Sequence, residues 1–220
     1  MTRFYKQLFF AAMIPFLSAA SLSFGQAREQ SQEENPQKYR EDMHYVAILG
    51  GILDMRSLET TTVNDQGNIT GTTDNSPTLT LATLVVGGHI SELFHTEFRL
   101  GSGVNDATEG DLTLSIDYFA SWYMGIHYPL TDFINAYGQF GFTHLEGGAD
   151  LDNPSARRNR EFRDIPSDFP ESSFSMSWLL GLDLELVDNA YLVLEGGRLF
   201  KDTVTDVNAF QFSGGFRYEF

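Results

Sequence analysis

Apolar and polar residues alternate along most of the chain with a period of two. The longest run is Leu112 to Tyr128, with Leu112, Leu114, Ile116, Tyr118, Ala120, Trp122, Met124, Ile126 and Tyr128 on one face. Thr113, Ser115, Asp117, Phe119, Ser121, Tyr123, Gly125 and His127 fall on the other. Soluble strands are usually much shorter, whereas a tilted strand that crosses a bilayer with some overhang needs this length. Residues 174–187 repeat the pattern, setting Phe174, Met176, Trp178, Leu180, Leu182, Leu184 and Leu186 against Ser175, Ser177, Gly181, Asp183 and Glu185. Residues 133–143 set Ile134, Ala136, Phe140 and Phe142 against Asn135, Tyr137, Gln139 and Thr143. The last segment sets Phe210, Phe212, Phe216, Tyr218 and Phe220 against Gln211, Ser213, Arg217 and Glu219.

Four weaker strands are expected at about 44–55, 78–90, 95–103 and 190–200. Their faces are harder to assign, because Gly50-Gly51, Gly87-Gly88 and Gly196-Gly197 permit bulges that shift the alternation. The total is eight, an even number, as closed bacterial barrels require. The connections alternate in length. Ser91–Phe94, Pro129–Asp132 and Asp188-Asn189 are short, while 57–77 and 147–172 are long. Membrane barrels alternate short periplasmic turns with longer outer loops, and this parity puts both chain ends in the periplasm.

The charged residues then decide which face points where. Glu97, Arg99, Asp117, Asp183, Glu185, Arg217 and Glu219 share the polar face, and the opposite face is rich in Leu and Phe. A soluble barrel would turn its apolar face inward. A Leu and Phe surface suits lipid instead, and in lipid the strands must close so that every backbone group is paired. The expected fold is an all-β, eight-stranded antiparallel up-and-down transmembrane β-barrel. Its narrow interior is expected to be plugged by those seven residues as a structural network of paired charges.

The N-terminus reads as a signal peptide: Arg3 and Lys6, an apolar run from Leu8 to Leu17, then small residues. Cleavage is expected after Ala27, with Ala20 as the alternative. Residues 28–43 then form a flexible periplasmic leader to a barrel over 44–220. No later stretch is long and apolar enough for a membrane helix.

Arg3 and Lys6 are 2 of 14 basic residues, so cleavage leaves 12 against 30 acidic ones and a net charge of −18. Such a field repels nucleic acid. The absence of cysteine excludes a lipid-acylated cysteine and cysteine-bound metals. Aromatic residues make up 14%, in keeping with the girdles of membrane barrels.

The end of the chain, Gly214-Gly215-Phe216-Arg217-Tyr218-Glu219-Phe220, resembles the C-terminal assembly signal of outer-membrane proteins. Gly215, Tyr218 and Phe220 match that pattern, while Gly214 stands where a polar residue is usual. The resemblance implies insertion by the barrel-assembly machinery. From about residue 44 to 220 the chain resembles the small eight-stranded family of the OmpA membrane domain, OmpX and the opacity proteins. It differs from full-length OmpA in ending at Phe220, and no peptidoglycan-binding domain is expected. The resemblance implies a bacterial outer-membrane location.

Candidate chemistry is sparse. The loop 147–172 carries Arg157, Arg158, Arg160 and Arg163 among acidic residues, a cluster suited to lipopolysaccharide phosphates or an anionic host ligand. The plainer reading, and the one preferred, is a solvated loop whose charges neutralise one another. The loop 57–77 is rich in Thr, Asn, Asp and Gly, which is ordinary loop chemistry. Asp117, Ser121 and His127 share a face, but ten residues of strand extend about 33 Å, too far for one triad. His89, His95 and His144 lie near strand ends and are expected as polar anchors at the membrane interface. A metal site from His89 and His95 is discounted, and no cofactor is implied. The expected role is structural, or display of surface loops for binding, without chemistry. A small diffusion channel is the first alternative and a lipid A-modifying enzyme the second.

Overall fold

The computed structural model describes residues 40–56, 58–64, 66, 68–152, 170, 174–203 and 207–220. These residues form strands and no helix: β1 (His44–Arg56), β2 (Leu58–Val63), β3 (Ile69–Asn75), β4 (Thr78–His89), β5 (Phe94–Gly103), β6 (Ala107–Glu109), β7 (Leu112–Pro129), β8 (Ile134–Leu151), β9 (Phe174–Val187), β10 (Ala190–Lys201) and β11 (Asn208–Glu219). Eight of them are antiparallel neighbours in the order β5-β4-β1-β11-β10-β9-β8-β7. Pairing of β5 with β7 closes the sheet into a barrel. The chain end is sewn in by reciprocal bonds between His44 and Phe220, N to O at 2.9 and 2.8 Å. The short β6 extends the sheet beside the start of β7, and β2 and β3 form a separate hairpin within 57–77. All eight expected strands are present. The longest departure is β8, which continues to Leu151 through Gly147 and Gly148 and takes in the start of the expected loop 147–172.

The turns at one end are tight, as their sequences suggest. Asn189 adopts φ of 66°, a left-handed conformation that Asn tolerates, in the two-residue connection from β9 to β10. The side-chain hydroxyls of Ser91 and Thr131 accept bonds from Phe94 N at 3.1 Å and Ile134 N at 3.0 Å, closing the other two short turns.

Along most of each strand the apolar face points outward. Ile48, Val86, Phe98, Trp122, Phe140, Leu180, Leu194 and Phe216 all stand exposed on the barrel wall. Toward the end with the long connections the pattern reverses. Leu53, Met55, Leu79, Leu81, Leu112, Leu114, Ile116 and Leu145 turn inward and pack as an apolar cluster, joined by Leu58, Ala107 and Val207 from β2, β6 and the segment before β11. Outside them stand Asp54, Thr78, Thr80, Asp117, Glu146 and Asp150.

Length explains the reversal. A strand of 18 residues, as in β7 and β8, rises about 60 Å along its own axis, or roughly 43 Å when tilted by 45°. An outer-membrane apolar band is only about 25 Å tall. The outer ends therefore stand in water, where an apolar interior and polar exterior are favoured.

In β7 the reversal is made by a bulge. Register passes from Ile116 opposite Gly147 to Tyr118 opposite Glu146, so Asp117 is the extra residue of the bulge. Below it Phe119, Ser121, Tyr123, Gly125 and His127 face the lumen. Above it Leu112, Leu114 and Ile116 do. The single uninterrupted alternation expected for 112–128 is thus two alternations of opposite phase. A second shift, between Arg198 and Phe200, does the same in β10.

Candidate functional site

The inner half of the lumen holds two linked charge networks. Arg99 on β5 bonds Glu97 two residues away and Glu195 on β10. Its Nη2 also donates to Glu195 Oε2 at 2.8 Å and to Gln139 Oε1 at 3.0 Å. Tyr45 Oη donates to Glu97 at 2.9 Å, Tyr137 Oη to Glu195 at 2.8 Å and Gln211 Nε2 to Glu195 at 3.4 Å. The face of Tyr123 lies 5.2 Å from the Arg99 guanidinium carbon. These partners hold the arginine on every side in a site without water-like solvation, as a buried charge requires.

Nearer the short turns, Arg217 bonds Asp183 and lies 3.2 Å from Glu219. Arg40, just before β1, reaches Glu219 at 3.0 Å and sits 4.8 Å over the Tyr191 ring. Arg217 packs 5.0 Å from both Tyr45 and Tyr191. Tyr45 thereby joins the two networks, hydrogen-bonded to one and stacked on the other.

Three histidines complete this layer. His127 Nε2 lies 3.1 Å from Asp183, His89 Nε2 3.3 Å from Glu219, and His95 Nε2 2.8 Å from Gln139. Ring centroids are 4.2 Å apart for His95 and His127, and 5.1 Å for His89 and His127. Among the described residues no group of three His, Asp or Glu is arranged to hold a metal ion.

Cross-strand glycines make room for the rings. Tyr45 is paired with Gly87, Tyr137 with Gly181, Phe119 with Gly101 and His95 with Gly125. A Cβ at any of these four glycines would come within 2.2–2.4 Å of the partner's ring. Each ring lies across its opposite glycine and takes the space a side chain there would need.

Of the residues expected inside, Glu97, Arg99, Asp183, Arg217 and Glu219 are buried in the lumen. Glu185 is half-buried on the same face, opposite Tyr191. Asp117 is a correction: the bulge turns it out to solvent. His89 and His95 are a second correction, since they are buried in the lumen at 4% and 1% exposure rather than set at the interface. His144 does stand on the outer wall, 3.3 Å from Glu146 and 3.4 Å from Tyr118 Oη. Asp117, Ser121 and His127 do not converge, as Ser121 Oγ is bonded to Thr143 at 2.8 Å and His127 to Asp183. Arg157, Arg158, Arg160 and Arg163 lie outside the described residues. Gly215 lies where a Cβ would strike Ile48 O at 2.0 Å, and Tyr218 and Phe220 are exposed on the wall beside it.

Sequence reasoning did not find Glu195, Gln139, Gln211 or Arg40 as partners. The alternation Tyr191, Val193, Glu195 is the signal for the first, obscured by Gly196-Gly197 directly after it. Arg40 precedes any strand pattern and carries no such signal.

An antiparallel barrel with a lipid-compatible wall, short turns at one end and a charged layer in the inner half of its lumen defines a transmembrane β-barrel of the bacterial outer membrane. The chain belongs to the outer membrane protein beta-barrel domain family, whose model matches residues 17–220. Among solved structures, the outer membrane protein OprG from Pseudomonas aeruginosa is similar with a TM-score of 0.54 at 14% identity, over 84% of this chain and 99% of that one. Neisserial surface protein A gives 0.48 at 15% identity, over 81% and 97%. Ail of Yersinia pestis gives 0.44 at 14% identity, over 82% and 99%. No curated protein matches the chain.

Proposed function

We propose that the protein is a non-conducting envelope barrel that performs no chemistry and acts through its outer surface and long loops. The filled lumen is the observation that carries this reading. Arg99, Glu97, Glu195 and Gln139 occupy its inner half, and Leu53, Leu81, Phe119 and Leu145 its outer half. A solute would have to break a buried ion network and then part an apolar core. Of the buried histidines, His89 is held by Glu219, His127 by Asp183 and His95 by Gln139, which fits a structural role for them. The partners that fit are outer-membrane lipids and lipopolysaccharide, a surface ligand at the loops 57–77 and 147–172, and the barrel-assembly machinery during insertion.

Single-channel recording on the protein refolded into a planar bilayer tests this. Stable insertion without current steps is expected. Discrete, reproducible steps would overturn the reading and make the protein a small diffusion channel.

A further inference from the structure

The described basic residues divide sharply by location. Arg40, Arg99 and Arg217 are inside the lumen; Arg56, Arg198 and Lys201 are outside it. The outside three stand together on one corner of the outer rim. Asn208 of β11 pairs with Arg56 of β1 on one side and with Lys201 of β10 on the other. Directly opposed residues on neighbouring strands are about 5 Å apart, so the Arg56 and Lys201 Cα atoms are separated by roughly 10 Å. Arg198 pairs with Phe210, one outward position closer to the membrane.

The wall changes character at this corner. One step inward along the strands, Gly196, Phe212 and Ile52 are in register, and further in come Leu192, Phe216 and Ile48. The cations thus sit at the upper edge of the lipid-facing surface. Arg56 lies over the Phe210 ring at 4.3 Å, and Trp178 packs edge-on to the same ring at 6.1 Å. Asp54 Oδ2 holds Arg56 Nε at 2.8 Å, and an Nη of Arg198 lies 3.5 Å from the Met176 carbonyl. Elsewhere the described outer wall carries Asp117, Glu146 and Asp150, with His144 beside Glu146, and the carboxylates repel an anion.

We propose that this corner binds a phosphorylated glycolipid of the outer leaflet, of the lipid A type. Arg56, Arg198 and Lys201 engage the phosphate-bearing headgroup, while Phe212, Ile52 and Leu194 receive the acyl chains. Guanidinium groups match phosphate oxygens in a two-pronged geometry, and the position at the edge of the apolar wall places headgroup and chains in one molecule. The proposal rests on the envelope reading above and names its lipid partner.

Native mass spectrometry of the detergent-solubilised protein, titrated with lipid A carrying two, one or no phosphates, tests it. Bisphosphorylated lipid A should bind at least about tenfold more tightly than the dephosphorylated form. R56Q/R198Q should lose that preference, R56K/R198K should keep much of it, and inorganic phosphate should not displace the lipid. Equal binding of all three lipids, unchanged preference in R56Q/R198Q, or displacement by inorganic phosphate would each overturn the proposal. The heat-dependent gel shift reports folding of each variant; where a variant does not fold, the comparison among lipids on the unaltered protein decides. Current steps in a bilayer with the lipid preference intact would sink the non-conducting reading alone. A non-conducting barrel without the preference would sink the lipid site alone.

Discussion

Arg99 on β5 and Glu195 on β10 are bonded across the full width of the barrel, since four strand intervals separate them in either direction around the closed sheet of eight. One ion pair therefore braces opposite walls, and Glu97, Gln139, Tyr45 and Tyr137 hold its two ends in place.

Arg99→Met should destabilise the folded barrel by about 3–5 kcal/mol, because Glu97 and Glu195 are left buried without their cation. E97Q/R99M/E195Q should recover most of that loss by removing the stranded charges. Urea midpoints in micelles, read from the gel shift, check the order. A triple variant weaker than Arg99→Met would mean the charges are not what the arginine compensates.

Arg40 and Arg217 share Glu219 but differ in depth and in number of partners. Arg217→Ala removes the cation of Asp183 as well and should cost about 3–5 kcal/mol. Arg40→Ala leaves Arg217 and His89 on Glu219 and should cost only about 1–2 kcal/mol. The same unfolding series measures both, and equal losses would show that Arg40 does more than cap the inner mouth.

The bulge at Asp117 separates two neighbours that an unbroken strand would place on one face. Phe119→Ala should cost about 3–5 kcal/mol as a cavity in the outer core. Asp117→Ala should cost less than Phe119→Ala, since Asp117 stands outside the core. Deleting Asp117 should keep the barrel folded, because Ile116 and Tyr118 then become adjacent and Leu112, Leu114 and Ile116 stay inward. Loss of the folded gel band in that deletion variant would refute the two-phase description of β7.

Gly87→Ala should push the Tyr45 ring off its seat and loosen its bond to Glu97, at a cost of about 1–3 kcal/mol. Gly50→Ala is the control, since nothing lies within 4 Å of a Cβ there. Folded yield and unfolding midpoint should fall for the first and hold for the second.

The sequence by itself determined the strands, their even number, the alternation of short and long connections and the lipid-facing wall. Each follows from the period-two exposure of a pleated strand and from the chemistry of turns, both local. It also determined that charges such as Glu97, Arg99, Asp183, Arg217 and Glu219 share the face opposite the lipid. Only the tertiary structure decided which of those charges meet. Arg99 and Glu195 are 96 residues apart, and their pairing depends on closure and register around the barrel. Two further features lay beyond local pattern. The reversal of inside and outside near Asp117 depends on where water begins along the wall, and a bulge can be placed there at several positions with the same residues. The seating of His89, His95 and His127 together depends on three strands meeting at one height. A lone histidine near a strand end gives no indication of its neighbours, because the contact that buries it is made across the lumen.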